Sequence, residues 1–323
     1  MQAKEIFQQM DEWFAKGKPF FFLLDYNMEN GECIALEKLG ESNILYQCPI
    51  SSNIVAIEIT SKRLEFQKFP ESISNYQKKF DKVKSEIAIG NSYLVNLTCQ
   101  SPINTNYTLS ELFNNGQAKY KLFFKDKFIH FSPETFVTIK DKKIATFPMK
   151  GTIDASQLDA DKTILDDPKE KTEQYIITDL MRNDLSIVAE NVTVEKFRYL
   201  DRVETNDKPL YQVSSHIEGD IKKNFQDKPG TIFSKLLPAG SICGAPKKKT
   251  VDIIQQVENH ERGYYTGVWG IFNGQQLDSC VIIRMIEKEN NQLYFKSGGG
   301  ITAASILEKE YQEMIDKIYV PVY

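Results

Sequence analysis

The sequence is poor in the residue types that mark several common function classes. It contains 3 histidines and 5 cysteines in 323 residues, and no two cysteines stand at CxxC spacing. A histidine-rich metal site, a disulfide framework and a structural zinc site are therefore unexpected, and little room is left for a histidine-centred catalytic unit. We expect the cysteines to be reduced and mostly buried thiols.

Long apolar runs and a large excess of one charge are also missing. The formal net charge is −4 with both signs interspersed, which gives no electrostatic reason to expect nucleic acid or a membrane as a partner. The longest apolar stretch near the start, PFFFLL at 19–24, is far too short to cross a bilayer. A cytoplasmic protein is therefore expected.

Strand-like and helix-like segments come in runs, without repeats or linkers. The predicted strands are FFFLLDY, NIVAIEI, YLVNLT, YKLFFK, FVTIK, KIATFPM, VWGIF, CVIIRMI and LYFKS, and the predicted helices cover about 75–89, 168–190 and 305–318. The first 70 residues look rich in strands. Because strands and helices do not alternate strictly, an α+β fold in one interleaved domain is favoured over a doubly wound parallel sheet.

Lys150 stands at the end of an apolar strand, in FPMKGTID at 147–154. In that strand Ala145, Phe147 and Met149 share one face, so Lys150 is expected on the opposite face. Exposed lysines are common at strand ends, which favours a solvated tip on the local sequence alone. The alternative is an amine nucleophile.

Two predicted helices each carry a pair of glutamates at i and i+3. Glu170 and Glu173 open the helix that begins at Pro168, and Glu310 and Glu313 lie in the last helix. For either pair alone, a solvated acidic turn is the favoured interpretation. If two such pairs face each other, they form an oxygen cage suited to Mg²⁺.

Three features near the end of the sequence point to an anion. The glycine run in KSGGGI, Lys296 to Ile301, predicts either an ordinary strand-to-helix turn or a nest of backbone N–H groups for a carboxylate or phosphate. Arg284, inside the apolar strand CVIIRMI, is expected to need an anionic partner. Tyr265, in RGYYTG, is either a core aromatic or a hydroxyl donor.

Nine segments, in a fixed order, resemble one family. They run from about Asn91 to Lys317 and read YLVNLT, FSPETF, FPMKGT, EKTEQYIITDLMRNDL, LPAGSICGAPK, RGYYTGVWG, CVIIRMI, SGGGI and EYQEMIDK. The sequence is similar to the chorismate-utilising enzymes, which include anthranilate synthase component I, aminodeoxychorismate synthase component I, and the isochorismate and salicylate synthases. The common order makes this resemblance far more specific than any one segment.

The resemblance implies a fold and a domain organisation. A single catalytic domain is expected over residues 1–323, with mainly antiparallel β-sheets in a sandwich-like core flanked by helices. Residues 1–75 would be a short strand-rich N-terminal segment and 76–323 the catalytic core. No fused amidotransferase or lyase is expected.

The resemblance also implies a magnesium-dependent chorismate site. In the family, two glutamate pairs hold Mg²⁺, which binds the ring carboxylate of chorismate. Tyrosine and arginine grip the enolpyruvyl carboxylate, and glycine N–H groups face a substrate carboxylate. The residues that match metal ligands are Glu170, Glu173, Glu310 and Glu313, and those assigned to substrate binding are Thr152, Tyr265, Arg284, Gly298, Gly299, Gly300 and Lys317.

The position of Lys150 separates members of the family. Anthranilate, isochorismate and salicylate synthases typically have alanine there, whereas aminodeoxychorismate synthases typically have lysine. In that subfamily the amine adds at C2 of the ring as the C4 hydroxyl leaves, and ammonia then enters at C4 as the lysine departs. Glu134, in FSPETF, matches the general acid and base. The resemblance therefore implies that Lys150 is a nucleophile.

Three residues depart from the family pattern. Leu94 stands where isochorismate and salicylate synthases carry the lysine that activates water, and where the amination branches often carry glutamine. Cys243 replaces a threonine, which weakens an expected hydroxyl contact with the substrate. Gln212 matches a histidine that anthranilate synthases use in eliminating pyruvate.

The expected function is that of an aminodeoxychorismate synthase, which makes 4-amino-4-deoxychorismate from chorismate and ammonia on the route to 4-aminobenzoate and folate. The resemblance implies a separate glutamine amidotransferase subunit as ammonia source and a downstream aminodeoxychorismate lyase acting on the product. Anthranilate synthase component I and a non-catalytic chorismate-binding homologue are the alternatives.

Overall fold

Residues 1–55, 59–60, 62–203 and 209–321 are described by a computed structural model. Contacts group the chain into two compact units. Unit 1 is built from Met1–Glu37, Pro133–Ser241 and Val268–Val281, and unit 2 from Lys38–Ser132, Ile242–Gly267 and Ile282–Tyr323. Each unit contains its own sheet, and the single catalytic domain stays a prediction.

Helices and strands are distributed along the whole described part of the chain. The helices are α1 (Ala3–Ala15), α2 (Ile73–Ala88), α3 (Leu109–Asn115), α4 (Ala160–Asp166), α5 (Pro168–Val188), α6 (Pro229–Leu236), α7 (Gly240–Cys243), α8 (Lys247–Val257) and α9 (Leu307–Asp316), with a 3₁₀ turn at Leu36–Glu41. The strands are β1 (Phe20–Leu24), β2 (Gly31–Ala35), β3 (Ile44–Cys48), β4 (Ser51–Ser52), β5 (Phe66–Lys68), β6 (Leu94–Thr105), β7 (Tyr120–Phe124), β8 (Phe128–Ser132), β9 (Thr135–Lys140), β10 (Lys143–Thr146), β11 (Met149–Asp154), β12 (Ala189–Val203), β13 (Leu210–Ile221), β14 (Gly244–Ala245), β15 (Val268–Phe272), β16 (Leu277–Val281), β17 (Met285–Glu289) and β18 (Gln292–Thr302).

An antiparallel sheet forms the centre of unit 1. Among the described residues its strand order is β11-β13-β10-β9-β16-β15-β1-β2, with β12 paired alongside β13. β1 is buried at every position between β15 and β2. α5 packs on β12 and β13, because Ile177, Met181 and Leu185 recur at helical spacing and form a buried stripe. This packing positions the first turn of α5, where Glu170 lies.

Unit 2 has a second antiparallel sheet. Within the described residues its order is β14-β6-β18-β17-β8-β7-β3-β4, with β5 paired to β6. β6 and β18 pair continuously, from Leu94 opposite Thr302 to Ile103 opposite Leu293. α8 packs on β6, whereas α2 and α9 pack on β18. The glycine run is thereby placed between β6 and the helix that carries Glu310.

Several predictions from the sequence are confirmed. The fold is α+β with antiparallel sheets, and α2, α5 and α9 lie within about two residues of their predicted bounds. All five cysteines are buried and free. In the described part of the chain, no helix combines the length and apolar character needed to cross a membrane.

Other predictions are wrong or incomplete. The start of the chain forms the helix α1, in which Ile6 and Met10 are buried, and this helix was not predicted. β8 was also missed. The predicted strand NIVAIEI includes 56–58, which lie outside the described residues.

Two predicted strands are each broken into two. KIATFPM ends as β10 at Thr146, and β11 starts at Met149, because Pro148 has no N–H to donate to the ladder. CVIIRMI divides between β16 and β17, with Arg284 at φ +52° in the turn between them. The left-handed backbone at Arg284 is incompatible with a continuous strand, so its placement inside a strand was wrong.

Two buried histidines of unit 2 should lower the free energy of unfolding as the pH decreases. Burial lowers the pKa of His130 to about 3 and that of His260 to about 4. The unfolded chain takes up these protons near pH 6.5, whereas the folded chain resists them. The free energy of unfolding should therefore fall as the pH decreases from about 6.5 to 4, by up to about 1.4 kcal/mol per pH unit for each histidine. Urea unfolding at a series of pH values measures this slope.

The double variant His130→Gln/His260→Gln separates these histidines from other acid-titrating groups. In this variant, the free energy of unfolding should change much less between pH 6.5 and 5 than in the parent protein, whatever its value at neutral pH. A slope equal to that of the parent protein would show that the two imidazoles do not resist protonation in the folded state.

Candidate active site

Lys150 of unit 1 lies beside a buried carboxylate. Its side chain, on β11, is 18% exposed, and Nζ stands 3.9 Å from Oε2 of Glu173 on α5. The Nζ of Lys169, one helical turn before Glu173, stands 3.6 Å from the other carboxylate oxygen. Two amines therefore flank one carboxylate that is 7% exposed. The interpretations of Lys150 as a solvated tip and of Glu173 as part of a solvated turn are both wrong.

The start of α5 fixes the glutamate pair through its cap. Asp167 Oδ1 accepts a hydrogen bond of 2.9 Å from the backbone N–H of Glu170, and Pro168 occupies the first turn, where its missing N–H is not needed. Glu170 is thus the third residue of a capped helix, and Glu173 follows almost one turn later.

Gln174 holds α5 against the segment that leads into Lys150. Its Nε2 donates to the carbonyl of Pro148 at 3.0 Å and to Ser215 Oγ on β13 at 2.8 Å. Sequence reasoning missed both Gln174 and Lys169. The i and i+4 spacing of Lys169 and Glu173 was an available signal for one of them, whereas the contacts of Gln174 depend on distant parts of the chain.

The Glu170 carboxylate lies where a side chain at Gly151 would otherwise be. Gly151 has φ +80°, and a Cβ at this position would lie 2.9 Å from Glu170 Oε2 and 3.3 Å from Ile164 Cδ1. Any larger residue would strain the backbone and push against the carboxylate. The glycine that follows Lys150 therefore leaves room for the Glu170 carboxylate.

The other predicted residues of unit 1 lie at strand ends and edges. Glu134 immediately precedes β9 and is half-buried, and its carbonyl accepts a hydrogen bond from Val281 N at 3.3 Å. Thr152 is exposed and lies opposite the buried Gln212 in the pairing of β11 with β13. The roles of Glu134 and Thr152 stay predictions.

In unit 2, α9 holds the second glutamate pair over the glycine run. Glu310 is 2% exposed, so a solvated turn is wrong for this pair as well. A Cβ at Gly299 would lie 3.5 Å from Glu313 Oε1 and 3.8 Å from Glu310 Oε2. Lys317 Nζ stands 2.8 Å from Glu313 Oε1 and donates to the Gly298 carbonyl at 2.9 Å. The structure thus brings Glu310, Glu313, Lys317 and the glycine run together.

The glycine run is strand rather than turn. Gly298, Gly299 and Gly300 lie in β18, opposite Thr98, Leu97 and Asn96 of β6. A strand-to-helix turn was therefore wrong. β17 pairs with β18 only as far as Lys296, so beyond it β6 is the paired neighbour in the described sheet. Because alternate N–H groups of a strand point to opposite sides, part of the run directs donors away from β6.

Tyr265 and Arg284 lie outside the strands of unit 2, Tyr265 in the turn before β15 and Arg284 immediately before β17. Tyr265 is 4% exposed, and burial raises the pKa of its hydroxyl. Arg284 is half-buried; its guanidinium carbon stands 5.0 Å from the centre of the Tyr319 ring, a cation–π contact that sequence reasoning missed. The Arg284 carbonyl accepts a hydrogen bond from Phe131 N at 3.3 Å.

The two glutamate pairs have the chemistry of a hard-cation site. Carboxylate oxygens are the ligands that Mg²⁺ prefers, and each pair lies close to a glycine whose missing side chain leaves room for it. Among the residues that the structure describes, no group of three or more His, Cys, Asp or Glu side chains is close enough to hold a metal ion. Each pair thus offers two carboxylates, and a site of four glutamates stays a prediction.

Gly151→Ala should weaken divalent metal binding, because the new Cβ would displace the Glu170 carboxylate. Gly90→Ala is the matched control: Gly90 has the same φ of +80°, but a Cβ there meets nothing within 4 Å. Both variants should lose about 1 kcal/mol of stability from backbone strain. Only Gly151→Ala should lose about tenfold or more in Mg²⁺ affinity by calorimetric titration. Equal Mg²⁺ affinities in the two variants would contradict this role of Gly151.

Comparison with known proteins places this geometry in a family. Residues 35–322 match the family model described as chorismate binding enzyme. An uncharacterised PabA-like protein of Pasteurella multocida is 47% identical over 323 residues, which is 100% of both chains. Anthranilate synthase component 1 of Acetivibrio thermocellus is 32% identical over 73% of this chain and 50% of its own length. Aminodeoxychorismate synthase component 1 of Bacillus subtilis is 27% identical over 77% of this chain and 55% of its own length.

Solved structures show the same α+β fold with two antiparallel sheets. The menaquinone-specific isochorismate synthase of Escherichia coli has a TM-score of 0.73 at 16% identity, covering 98% of this chain and 80% of that one. Anthranilate synthase component I of Streptococcus pneumoniae has a TM-score of 0.68 at 22% identity, covering 91% and 70%. With these folds and the family match over residues 35–322, the chain belongs to the family of chorismate-binding enzymes.

Proposed function

We propose that this chain is an aminodeoxychorismate synthase, which converts chorismate and ammonia to 4-amino-4-deoxychorismate and water. The observation that carries the proposal is Lys150. Its amine is drawn in beside the Glu173 carboxylate instead of extending into solvent, and it stands where relatives that eliminate pyruvate or add water typically have alanine. The product would serve 4-aminobenzoate and folate synthesis.

Chorismate carries two carboxylates, and the hydrogen-bond donors that we assign to them lie in unit 2. We assign the enolpyruvyl carboxylate to Tyr265 and Arg284, and a carboxylate contact to the N–H groups of the glycine run. Lys317 lies within hydrogen-bond distance of both Glu313 and the Gly298 carbonyl, so it adds positive charge beside that run. Further assignments to substrate binding are Thr152, Gly298, Gly299 and Gly300.

We assign Mg²⁺ to the two glutamate pairs, Glu170 with Glu173 and Glu310 with Glu313. When bound, the metal would neutralise these carboxylates and hold the ring carboxylate of chorismate. The depth of Glu173 and Glu310 supports this assignment, since deeply buried carboxylates require compensating positive charge. Lys150 and Lys169 supply part of that charge at Glu173.

The chemistry proceeds in two displacements at the ring. The Lys150 amine bonds to C2, the ring double bonds shift, and the C4–O bond breaks, while Glu134 donates the proton that lets the hydroxyl leave as water. Ammonia then bonds to C4, the double bonds shift back, and the C2–N bond to Lys150 breaks. Glu134 accepts a proton from the incoming nitrogen, and the configuration at C4 is retained.

Leu94 supports amination over hydration. It is 1% exposed in β6, and an aliphatic side chain at this position cannot take a proton from water. Ammonia is itself a nucleophile, so its attack on C4 does not require a basic side chain at position 94. We propose a glutamine amidotransferase subunit as its source and a separate aminodeoxychorismate lyase as the enzyme that acts on the product.

The product distinguishes this proposal from its nearest rival. Purified protein incubated with chorismate, Mg²⁺ and ammonium should form 4-amino-4-deoxychorismate, detected by mass spectrometry, and a compatible amidotransferase should let glutamine replace ammonium. Anthranilate as the sole product would instead make the chain an anthranilate synthase, like the Acetivibrio thermocellus relative that is 32% identical. Binding of chorismate without any turnover would identify a non-catalytic homologue.

Lys150→Ala should lower ammonia-dependent turnover by about three orders of magnitude or more, because it removes the nucleophile. Lys169→Ala is a matched control, since Lys169 flanks the same carboxylate at a similar distance but is not assigned a bond to substrate. It should change turnover by less than about tenfold. Similar losses in the two variants would show that Lys150 acts only through its charge near Glu173.

A further inference from the structure

We infer that the buried ion pair of Glu258 and Arg262 is the element that positions the substrate-binding segments of unit 2. The inference rests on the proposed function for the identity of the substrate. It concerns two residues to which the resemblance assigns no role. Both side chains are 3% exposed, so neither extends into solvent.

The Arg262 guanidinium uses all of its donors inside the protein. An arginine has five N–H bonds in a rigid planar fork. Here Nε donates to Glu258 Oε2 at 2.8 Å, Nη1 to the Ile242 carbonyl at 3.0 Å and Thr266 Oγ1 at 3.3 Å, and Nη2 to Glu258 Oε1 and the Asn96 carbonyl at 2.7 Å each. Five bonds to four separate residues fix the position of this side chain.

Glu258 is equally well satisfied. Beyond Arg262, it accepts hydrogen bonds of 2.8 Å from both the backbone N–H and the hydroxyl of Thr98. Burial disfavours the charged form, but Arg262 and Thr98 outweigh it and hold the pKa of the Glu258 carboxyl below its usual value. The pair is therefore a permanent link between the end of α8 and the strand β6.

The first connection leads to the glycine run. Asn96 and Thr98, which Arg262 and Glu258 contact, lie directly opposite Gly300 and Gly298 in the pairing of β6 with β18. Fixing these two residues of β6 fixes the backbone beside the glycines. Because glycine restricts its own backbone least, the run depends on its neighbours for a defined position.

The second connection leads to the segment of Cys243. The Ile242 carbonyl accepts hydrogen bonds from Arg262 and from Asn96 Nδ2, the latter at 2.9 Å. The residue that follows Ile242 is Cys243, where the family carries a threonine expected to contact the substrate. Arg262 thus also fixes the backbone next to Cys243.

The third connection leads to Tyr265 and Arg284. Thr266, which accepts a hydrogen bond from Arg262, sits at φ +62° and donates its hydroxyl to the Tyr265 carbonyl at 2.5 Å. Its N–H donates to the Ile282 carbonyl at 2.7 Å, two residues before Arg284. A left-handed conformation at a β-branched residue persists only when its surroundings enforce it, and Arg262 is one of the groups that do so.

One ion pair therefore connects four segments of unit 2, because it bonds directly to β6, Ile242 and Thr266 and reaches Ile282 through the Thr266 N–H. A lysine at 262 could keep the charge but could not reach the Asn96, Ile242 and Thr266 oxygens together. Removing the pair would loosen all four segments at once. Glu258 and Arg262 are positioning residues, because they act on the substrate through other groups.

The test compares Arg262→Lys with Lys288→Gln. Lys288 forms an exposed ion pair with Asp126 at 2.8 Å in the same unit, so its loss controls for disruption of an ion pair that does not contact these segments. Arg262→Lys should raise the KM for chorismate about tenfold or more, with a smaller change in kcat. It should also lose hydrogen-exchange protection at 96–98, 242–244, 262–267 and 282–284. Lys288→Gln should show neither effect.

A second pair of variants covers the case in which Arg262→Lys does not fold. Thr266→Val removes the hydroxyl but leaves the ion pair, whereas Thr266→Ser keeps the hydroxyl. Thr266→Val should raise the KM for chorismate, and Thr266→Ser should restore it to within about twofold. An unchanged KM and unchanged protection in folded Arg262→Lys, or equal behaviour of the two Thr266 variants, would overturn the inference.

The outcomes also separate the two proposals. If the parent protein neither binds nor converts chorismate, the proposed function fails, and hydrogen exchange without substrate still decides whether Arg262 fixes these segments. If the parent protein is active and Arg262→Lys retains both its KM and its protection, only the positioning role fails.

Discussion

Burial of negative charge is the constraint on which the rest of this structure depends. A carboxylate removed from water must recover its lost hydration from cations or hydrogen-bond donors, and the chain meets this requirement in two ways. Glu258 is held by bonds of 2.7–2.8 Å from a fixed network. Glu173 is compensated by two lysine amines at 3.6 and 3.9 Å. The first arrangement suits a permanent structural link, whereas the longer contacts at Glu173 suit a carboxylate that can change its partners.

The two units accommodate their glutamate pairs with different elements. Glu170 of α5 lies beside Gly151, Glu310 and Glu313 of α9 lie beside Gly299, and in each unit a lysine stands near one carboxylate of the pair. In unit 1 the helix is positioned by its cap and by Gln174. In unit 2 the strand under the helix is positioned through β6. Small residues in the strands thus let carboxylates approach backbone that would otherwise exclude them.

The sequence predicted what depends on local periodicity. α5 and α9 follow from their apolar spacing, and the glutamate pairs follow from the helices. The breaks at Pro148 and Arg284 were missed because apolar composition is the same on both sides of each break. That the glycine run is strand was missed because its pairing with β6 is a constraint from about 200 residues away. Arg262 was missed because an i and i+4 ion pair is usually a surface feature, and only distant Asn96 and Ile242 make it a central one.

The interleaving of the two units sets a condition on biosynthesis. β1 finds its partner β15 only after residue 272 has been made, and unit 2 needs strands from both early and late parts of the chain. Neither sheet can close while the ribosome still holds the last third, so the apolar strand β1, which has β2 on one side, must wait for its partner on the other side. Long-range pairings of this kind fold slowly and expose strand edges meanwhile. This protein therefore depends on whatever protects unfinished chains in the cell more than a protein with locally paired strands would.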